Sequence, residues 1–299
     1  MRAAPVFWAG GLKMGFIPMD HPEEVSAKQQ ELTFPGQRIA NGRRRRGIYI
    51  LPSLFTVGNL LCGYYAIIAV LTGGDAHLDF AARAIGIAFI FDSFDGFVAR
   101  LTGTNSEFGK HLDSLADVIS FGIAPAALAY SWGVRSLQFD ASPAIHIVQE
   151  LAWLVCLTFV ISCAWRLARF NVHGMASSSS SMRYFVGMPC PAAAGCVAAT
   201  VHYFKTPLDQ WHFSAIFLGL VIALAALMTS KIRYPSFKGI NWSRRQPSIV
   251  IILITLTAGA IFFYSEYALM ILAGGYLVSG IVMELVRFVR HHSTSQPAD

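Results

Sequence analysis

Apolar residues recur along this chain in runs of roughly bilayer-spanning length. They lie near Leu54 to Leu71, Phe80 to Val98, Leu115 to Trp132, Leu151 to Ala168, Val186 to Phe204, Phe213 to Met228, Ile249 to Tyr264 and Ala268 to Phe288. The pattern predicts an all-α, polytopic transmembrane helix bundle of about eight spans. The sixth and seventh runs are short and the link between the last two is tight, so these edges are the least sharply drawn. Residues 1–47 hold no long apolar run and mix Pro, Gly, Gln and charges, which predicts a flexible basic cytoplasmic tail. Its opening, MRAAPVFWAGGLKMGFIPMD, is a poor signal peptide because Gly and Lys interrupt the apolar stretch, and Met14 and Met19 are alternative starts. The serine run Ser177 to Ser181 reads as a loop, and 291–299 as a polar tail.

Composition agrees: 55% hydrophobic and 13% charged over 299 residues is too oily for a soluble domain. Charge then orients the bundle. With eight spans and both termini on one face, all of the 23 Lys and Arg residues except Arg83, Arg135 and Lys205 fall on that face. Basic residues accumulate on the cytoplasmic side, so the termini and the loop from Arg100 to His111 are expected there, in what would be a bacterial inner membrane. The net charge of +6 is spread over loop after loop at the membrane edge, which suits anionic lipid head groups and not nucleic acid. The run Arg43 to Arg46 is open between a topology determinant and a lipid site. Five cysteines, Cys62, Cys156, Cys163, Cys190 and Cys196, show no zinc or disulfide spacing and read as small buried hydrophobes.

Four carboxylates break the oily pattern. Asp92 and Asp95 are three residues apart and Asp113 and Asp117 four apart, so on helices each pair shares a face. Two facing pairs make a cage of hard oxygens. Close negative charges inside a bilayer are costly, and Mg²⁺ or Mn²⁺ offsets their repulsion and suits such ligands. Gly96 follows Asp95, and Gly109 lies one turn before Asp113. Both glycines, with Ala99, keep backbones close and leave room for a planar ligand.

The window reads D-x2-D-G-x2-A-R-x8-G-x3-D-x3-D and resembles the signature of the CDP-alcohol phosphotransferases at every fixed position. The resemblance implies a six-helix catalytic core, assigned here to 48–232, with two additional spans over 233–290. It further implies a CDP-activated substrate whose cytidine fills the space beside the glycines, and a homodimer. Asp92, Asp95 and Asp113 would hold two divalent ions, and Asp117 would accept a proton, ligate the second ion, or both. Arg100 would offer a forked donor to phosphate and Ser106 a small hydroxyl. LPSLFTVGNLLCG resembles the family's first span, in which Thr56 and Asn59 either touch the nucleotide or bond neighbouring helices.

The acceptor alcohol must come from elsewhere. RLARFNVHG, Arg166 to Gly174, and YFVGMPCPAAAG, Tyr184 to Gly195, resemble the type II phosphatidylserine synthases. That implies transfer of a phosphatidyl group from CDP-diacylglycerol to L-serine. Arg166 and Arg169 share a helix face and can clamp the serine carboxylate, Asn171 can meet its ammonium or hydroxyl, and Arg183 can close over the site. The alternative reading of the same arginines is positive-inside anchors or lipid-phosphate contacts. Pro189 and Pro191 are expected to break or start the fifth helix. Competing readings are a same-family transferase for glycerol 3-phosphate, inositol phosphate or choline, and an ion-coupled transporter.

Overall fold

The computed structural model describes residues 50–102, 107–135, 137, 143–176, 184–235, 255–257 and 259–293. The helices belong to one compact unit, Gly47–Asp299. In order they are α1 (Ile50–Thr72), α2 (Asp75–Thr102), α3 (Glu107–Asp117), a π-helical turn (Val118–Ile123), α4 (Ala124–Gly133), α5 (Pro143–Ala176), α6 (Cys190–Phe204), α7 (Trp211–Thr229) and α8 (Ser265–Ser293). Two three-residue strands, β1 (Tyr184–Val186) and β2 (Arg233–Pro235), pair antiparallel with Phe185 opposite Tyr234.

The all-α expectation holds. Five stretches are long and apolar enough to cross a membrane among the described residues: Leu54–Thr72, Glu107–Gly133, Ile145–Val172, Trp211–Thr229 and Ser265–Glu284. Among the described residues two further helices belong to the bundle. α2 has 28 residues, about 42 Å at ~1.5 Å per residue, but carries Asp79, Arg83, Asp92 and Asp95 along its length. α6 has 15 residues and is short for a ~30 Å hydrocarbon core. The fifth apolar run is not one helix as its composition suggested. Val186 ends β1, Gly187 takes φ +79, and the extended Pro189 caps α6 with Pro191 in its first turn, so both prolines act as expected. Part of the run Ile249 to Tyr264 lies outside the described residues.

Small side chains bring α1 and α2 together, the most extensive pairing in the bundle. Ala66, Ala69, Ala81, Ala82, Ala84 and Ala88 are all buried, which lets the backbones approach where lipid supplies no hydrophobic drive between helices. Gly73 and Gly74 at φ +75 and +88 reverse the chain between them, and Asp75 favours the start of α2. All five cysteines are free, four of them buried.

The start of α2 and the end of α6 meet in a polar junction with α8. The buried Asp79 bonds His202 Nδ1 and pairs with Arg83 at 2.7 Å, while His202 Nε2 meets Ser265 Oγ at 2.9 Å. Lys205, held at φ +60 past the end of α6, pairs with Glu266. Farther along, the fully buried Tyr234 of β2 stacks on Tyr276 with ring centroids 5.5 Å apart. It lies where a side chain on Gly280 would otherwise be.

Candidate metal centre and active site

Three helices build the site. α1 contributes Thr56 and Asn59, α2 contributes Asp92 and Asp95, and α3 contributes Asp113 and Asp117. Helical spacing turns each carboxylate pair to one face, and the close contact of α1 with α2 and α3 presents both faces to α1.

Asp92, Asp113 and Asp117 each offer a carboxylate oxygen, and these atoms all lie within 4.8 Å of one another. At that separation and an effective dielectric near 20, each pair of ionised groups repels by at least about 3.5 kcal/mol. A divalent cation removes that repulsion, and an all-oxygen donor set from carboxylates suits Mg²⁺ or Mn²⁺. The donors therefore fit the metal that the sequence pattern called for. Asp95 lies outside this group of three. It is buried and accepts a hydrogen bond from the Thr56 hydroxyl.

Asn59, wholly buried, donates from Nδ2 to Asp117 Oδ1 at 3.1 Å. Its own Oδ1 is buried and meets no hydrogen-bond donor among the described residues. Such an orphan costs about 1–3 kcal/mol unless a ligand or water satisfies it. Gly96 faces open space: a Cβ built on it would meet nothing within 4 Å. Gly109 lies in α3, one turn before Asp113. The side chains of Ala99 and Arg100 lie outside the described set, and Ser106 and Arg183 lie outside the described residues altogether.

The second group of expected residues, on α5, makes contacts within the chain. Arg166 Nη1 donates to the Val186 carbonyl at 2.9 Å and Arg169 Nη2 to the same oxygen at 3.2 Å. Arg169 Nη1 also reaches the Thr229 carbonyl at 3.5 Å. Two guanidiniums thus converge on the end of β1, just before Gly187. Asn171 Nδ2 donates to Ser114 Oγ at 3.0 Å, which ties α5 to α3 beside Asp113. Ser114 was not singled out in the sequence, and neither was Ser120. The Ser120 hydroxyl donates to the Asn59 carbonyl at 3.0 Å from within the π-helical turn that follows Asp117. An isolated serine in an apolar run gives no pattern by which to find it.

The sequence pattern of the CDP-alcohol phosphatidyltransferase family matches residues 49–232, which contain every residue of this site. The chain is also similar to a Helicobacter pylori protein named CDP-diacylglycerol–serine O-phosphatidyltransferase. The two are 34% identical over 249 residues, covering 81% of this chain and 94% of that one. A Bacillus subtilis protein of the same name is 32% identical over 189 residues, covering 63% and 91%. An archaetidylserine synthase of Methanothermobacter thermautotrophicus is 34% identical over 209 residues, covering 69% and 78%.

Proposed function

The chain belongs to the CDP-alcohol phosphatidyltransferase family, and from that premise we propose that it transfers a phosphatidyl group from CDP-diacylglycerol to the hydroxyl of L-serine, giving phosphatidylserine and CMP. The observation that carries the reading is the convergence of Asp92, Asp113 and Asp117 within 4.8 Å, inside residues that match the family.

Asp92, Asp113 and Asp117 would hold the divalent ions, two in number, with Asp95 completing the set on its helix face. Bound there, Mg²⁺ or Mn²⁺ neutralises the pyrophosphate and draws charge from the departing CMP. The chain's own residues do the rest. Asp117 takes the proton of the serine hydroxyl as its oxygen bonds to the phosphorus bearing the diacylglycerol, and the bond from that phosphorus to the CMP oxygen breaks. The orphan Asn59 Oδ1 offers an acceptor to a donor group of the bound substrate. Open space beside Gly96 receives the cytidine, and Arg100 and Ser106 flank its phosphates. Arg166, Arg169, Asn171 and Arg183 form the serine end of the site, with Arg166 and Arg169 anchored on β1.

The charge asymmetry supports an inner-membrane enzyme with this site and both termini facing the cytoplasm. Functionally, 1–47 is a tail, 48–232 the catalytic domain and 233–290 an extension, and the working unit is a homodimer. The deciding experiment is CMP release by purified protein in detergent, with serine, glycerol 3-phosphate, inositol phosphate and choline supplied separately. Release with serine alone supports the proposal. Release with another acceptor and none with serine refutes it, and no release with any acceptor, in protein that still binds CDP-diacylglycerol, refutes the transferase reading.

A further inference from the structure

Asp117, a member of the three-carboxylate group, is held from α1 by Asn59, and the means of holding it has a second layer. Asn59 is gripped twice. Its amide nitrogen donates to Asp117 Oδ1 at 3.1 Å, and its main-chain carbonyl accepts the Ser120 hydroxyl at 3.0 Å. Asn59 and Ser120 are both fully buried. The π-helical register begins with the residue after Asp117 and includes Ser120, so the angular offset between the two is not that of an α-helix, and both engage the same residue of α1. Gly63, one turn beyond Asn59, lets this happen. A Cβ there would overlap the Ser120 hydroxyl and lie 2.8 Å from the Ser120 Cα. No other residue fits at Gly63 without pushing the π-helical turn away from α1.

We propose that Ser120 and Gly63 are positioning residues for Asp117, fixing the rotation of its carboxylate through a buried lock between α1 and the π-helical turn. One carboxylate oxygen is committed to Asn59, and the other is thereby directed to the group formed with Asp92 and Asp113. The inference rests on the proposed role of Asp117 in taking the serine proton. Ser120 and Gly63 act only through Asn59 and Asp117. A serine that merely glued two helices would affect folding and leave turnover intact in whatever protein folds.

The test uses the full chain in detergent with Ser120→Ala, Ser120→Cys and Gly63→Ala. The readouts are kcat, the KM of each substrate, Mn²⁺ affinity by electron paramagnetic resonance, and Tm. Ser120→Ala is expected to lower kcat by about tenfold to a hundredfold, the effect of misplacing a reacting group by roughly an ångström. Both KM values should stay within about threefold, whereas Mn²⁺ affinity should fall along with kcat, since the Asp117 oxygen that the lock directs is one of the three donors of the group. Ser120→Cys, with a weaker donor of similar size, should fall between parent and Ala. Gly63→Ala should lose at least as much as Ser120→Ala. If Ser120→Ala fails to fold, Ser120→Cys decides by the same criteria. A kcat within about twofold of the parent overturns the proposal, as does a fall in kcat with Mn²⁺ affinity unchanged, or a rise in both KM values as large as the fall in kcat. Asp117→Asn separates the two levels. An active Asp117→Asn defeats the role of Asp117 itself, whereas an inactive Asp117→Asn beside a fully active Ser120→Ala defeats only the lock.

Discussion

Replacing Asp113 by Asn should make the protein more stable without metal and less able to use it. Three carboxylate oxygens within 4.8 Å of one another make three repulsive pairs. At an effective dielectric near 20, each is worth at least about 3.5 kcal/mol when both partners are ionised. Asn at 113 removes two of the three, leaving Asp92 with Asp117, so about 7 kcal/mol of unscreened repulsion disappears. Solvent and counter-ions already relieve much of this in the metal-free parent. A net gain of about 1–2 kcal/mol is therefore the expectation, a rise of a few degrees in Tm. With saturating Mn²⁺ the order should invert, because ligand binding stabilises the parent through a site that the variant has weakened. Thermal melting of both proteins in detergent, with EDTA and with Mn²⁺, measures the crossover, and CMP release measures the loss of turnover. If the parent melts higher than Asp113→Asn in both conditions, or if the variant turns over normally at ordinary Mg²⁺ or Mn²⁺ concentrations, the three aspartates do not form a cation site.

Membrane orientation is open to labelling from outside intact cells: Asp75→Cys at the start of α2 should react with an impermeant reagent and Glu107→Cys at the start of α3 should not. Ala at Arg166 or Arg169 should raise the serine KM well above any change for CDP-diacylglycerol, and Lys should rescue poorly because one ammonium cannot reproduce a planar fork. Equal defects for both substrates, or full activity with Lys, would reduce the arginines to anchors of β1. His202→Ala should lower Tm by several degrees, since it leaves the buried Asp79 with Arg83 and deprives Ser265 of its partner. Parental Tm in that variant would mean the junction adds nothing to stability.

The helical bundle was legible because lipid permits little else: long apolar runs have to satisfy their backbone polar groups internally. The carboxylates stood out for the complementary reason, as charges in an oily window. What the sequence concealed was pairing across helices. The i, i+3 and i, i+4 spacings say which aspartates share a face, but not that Asp95 would turn to Thr56 while Asp117 turned to Asn59. Residues such as Ser120 and Ser114 act through a geometry that exists only after α1, α3 and α5 are assembled. Arg166 and Arg169 were correctly placed together on one face, yet their shared partner is a main-chain oxygen, which has no sequence signature. The π-helical turn was invisible for the same reason, since VISFGI carries nothing that separates it from an ordinary helix.

The charges along α2 bear on how the chain enters the bilayer at all. Asp79, Arg83, Asp92 and Asp95 occupy one helix, and on insertion scales an Asp or Arg near a helix centre costs about 2.5–3.5 kcal/mol. Helix α1, free of charged residues and strongly apolar, has no such difficulty, and only two glycines separate it from α2. The two helices should therefore be taken up together as a hairpin, with Thr56 and the alanine interface already sheltering the acidic helix from lipid during synthesis. A glycosylation reporter fused after α2 would show this as loss of integration when α1 is replaced by a soluble segment, and unchanged integration would mean that α2 enters unaided. The residues that assemble the metal centre would then also be those that make its most polar helix admissible to the membrane.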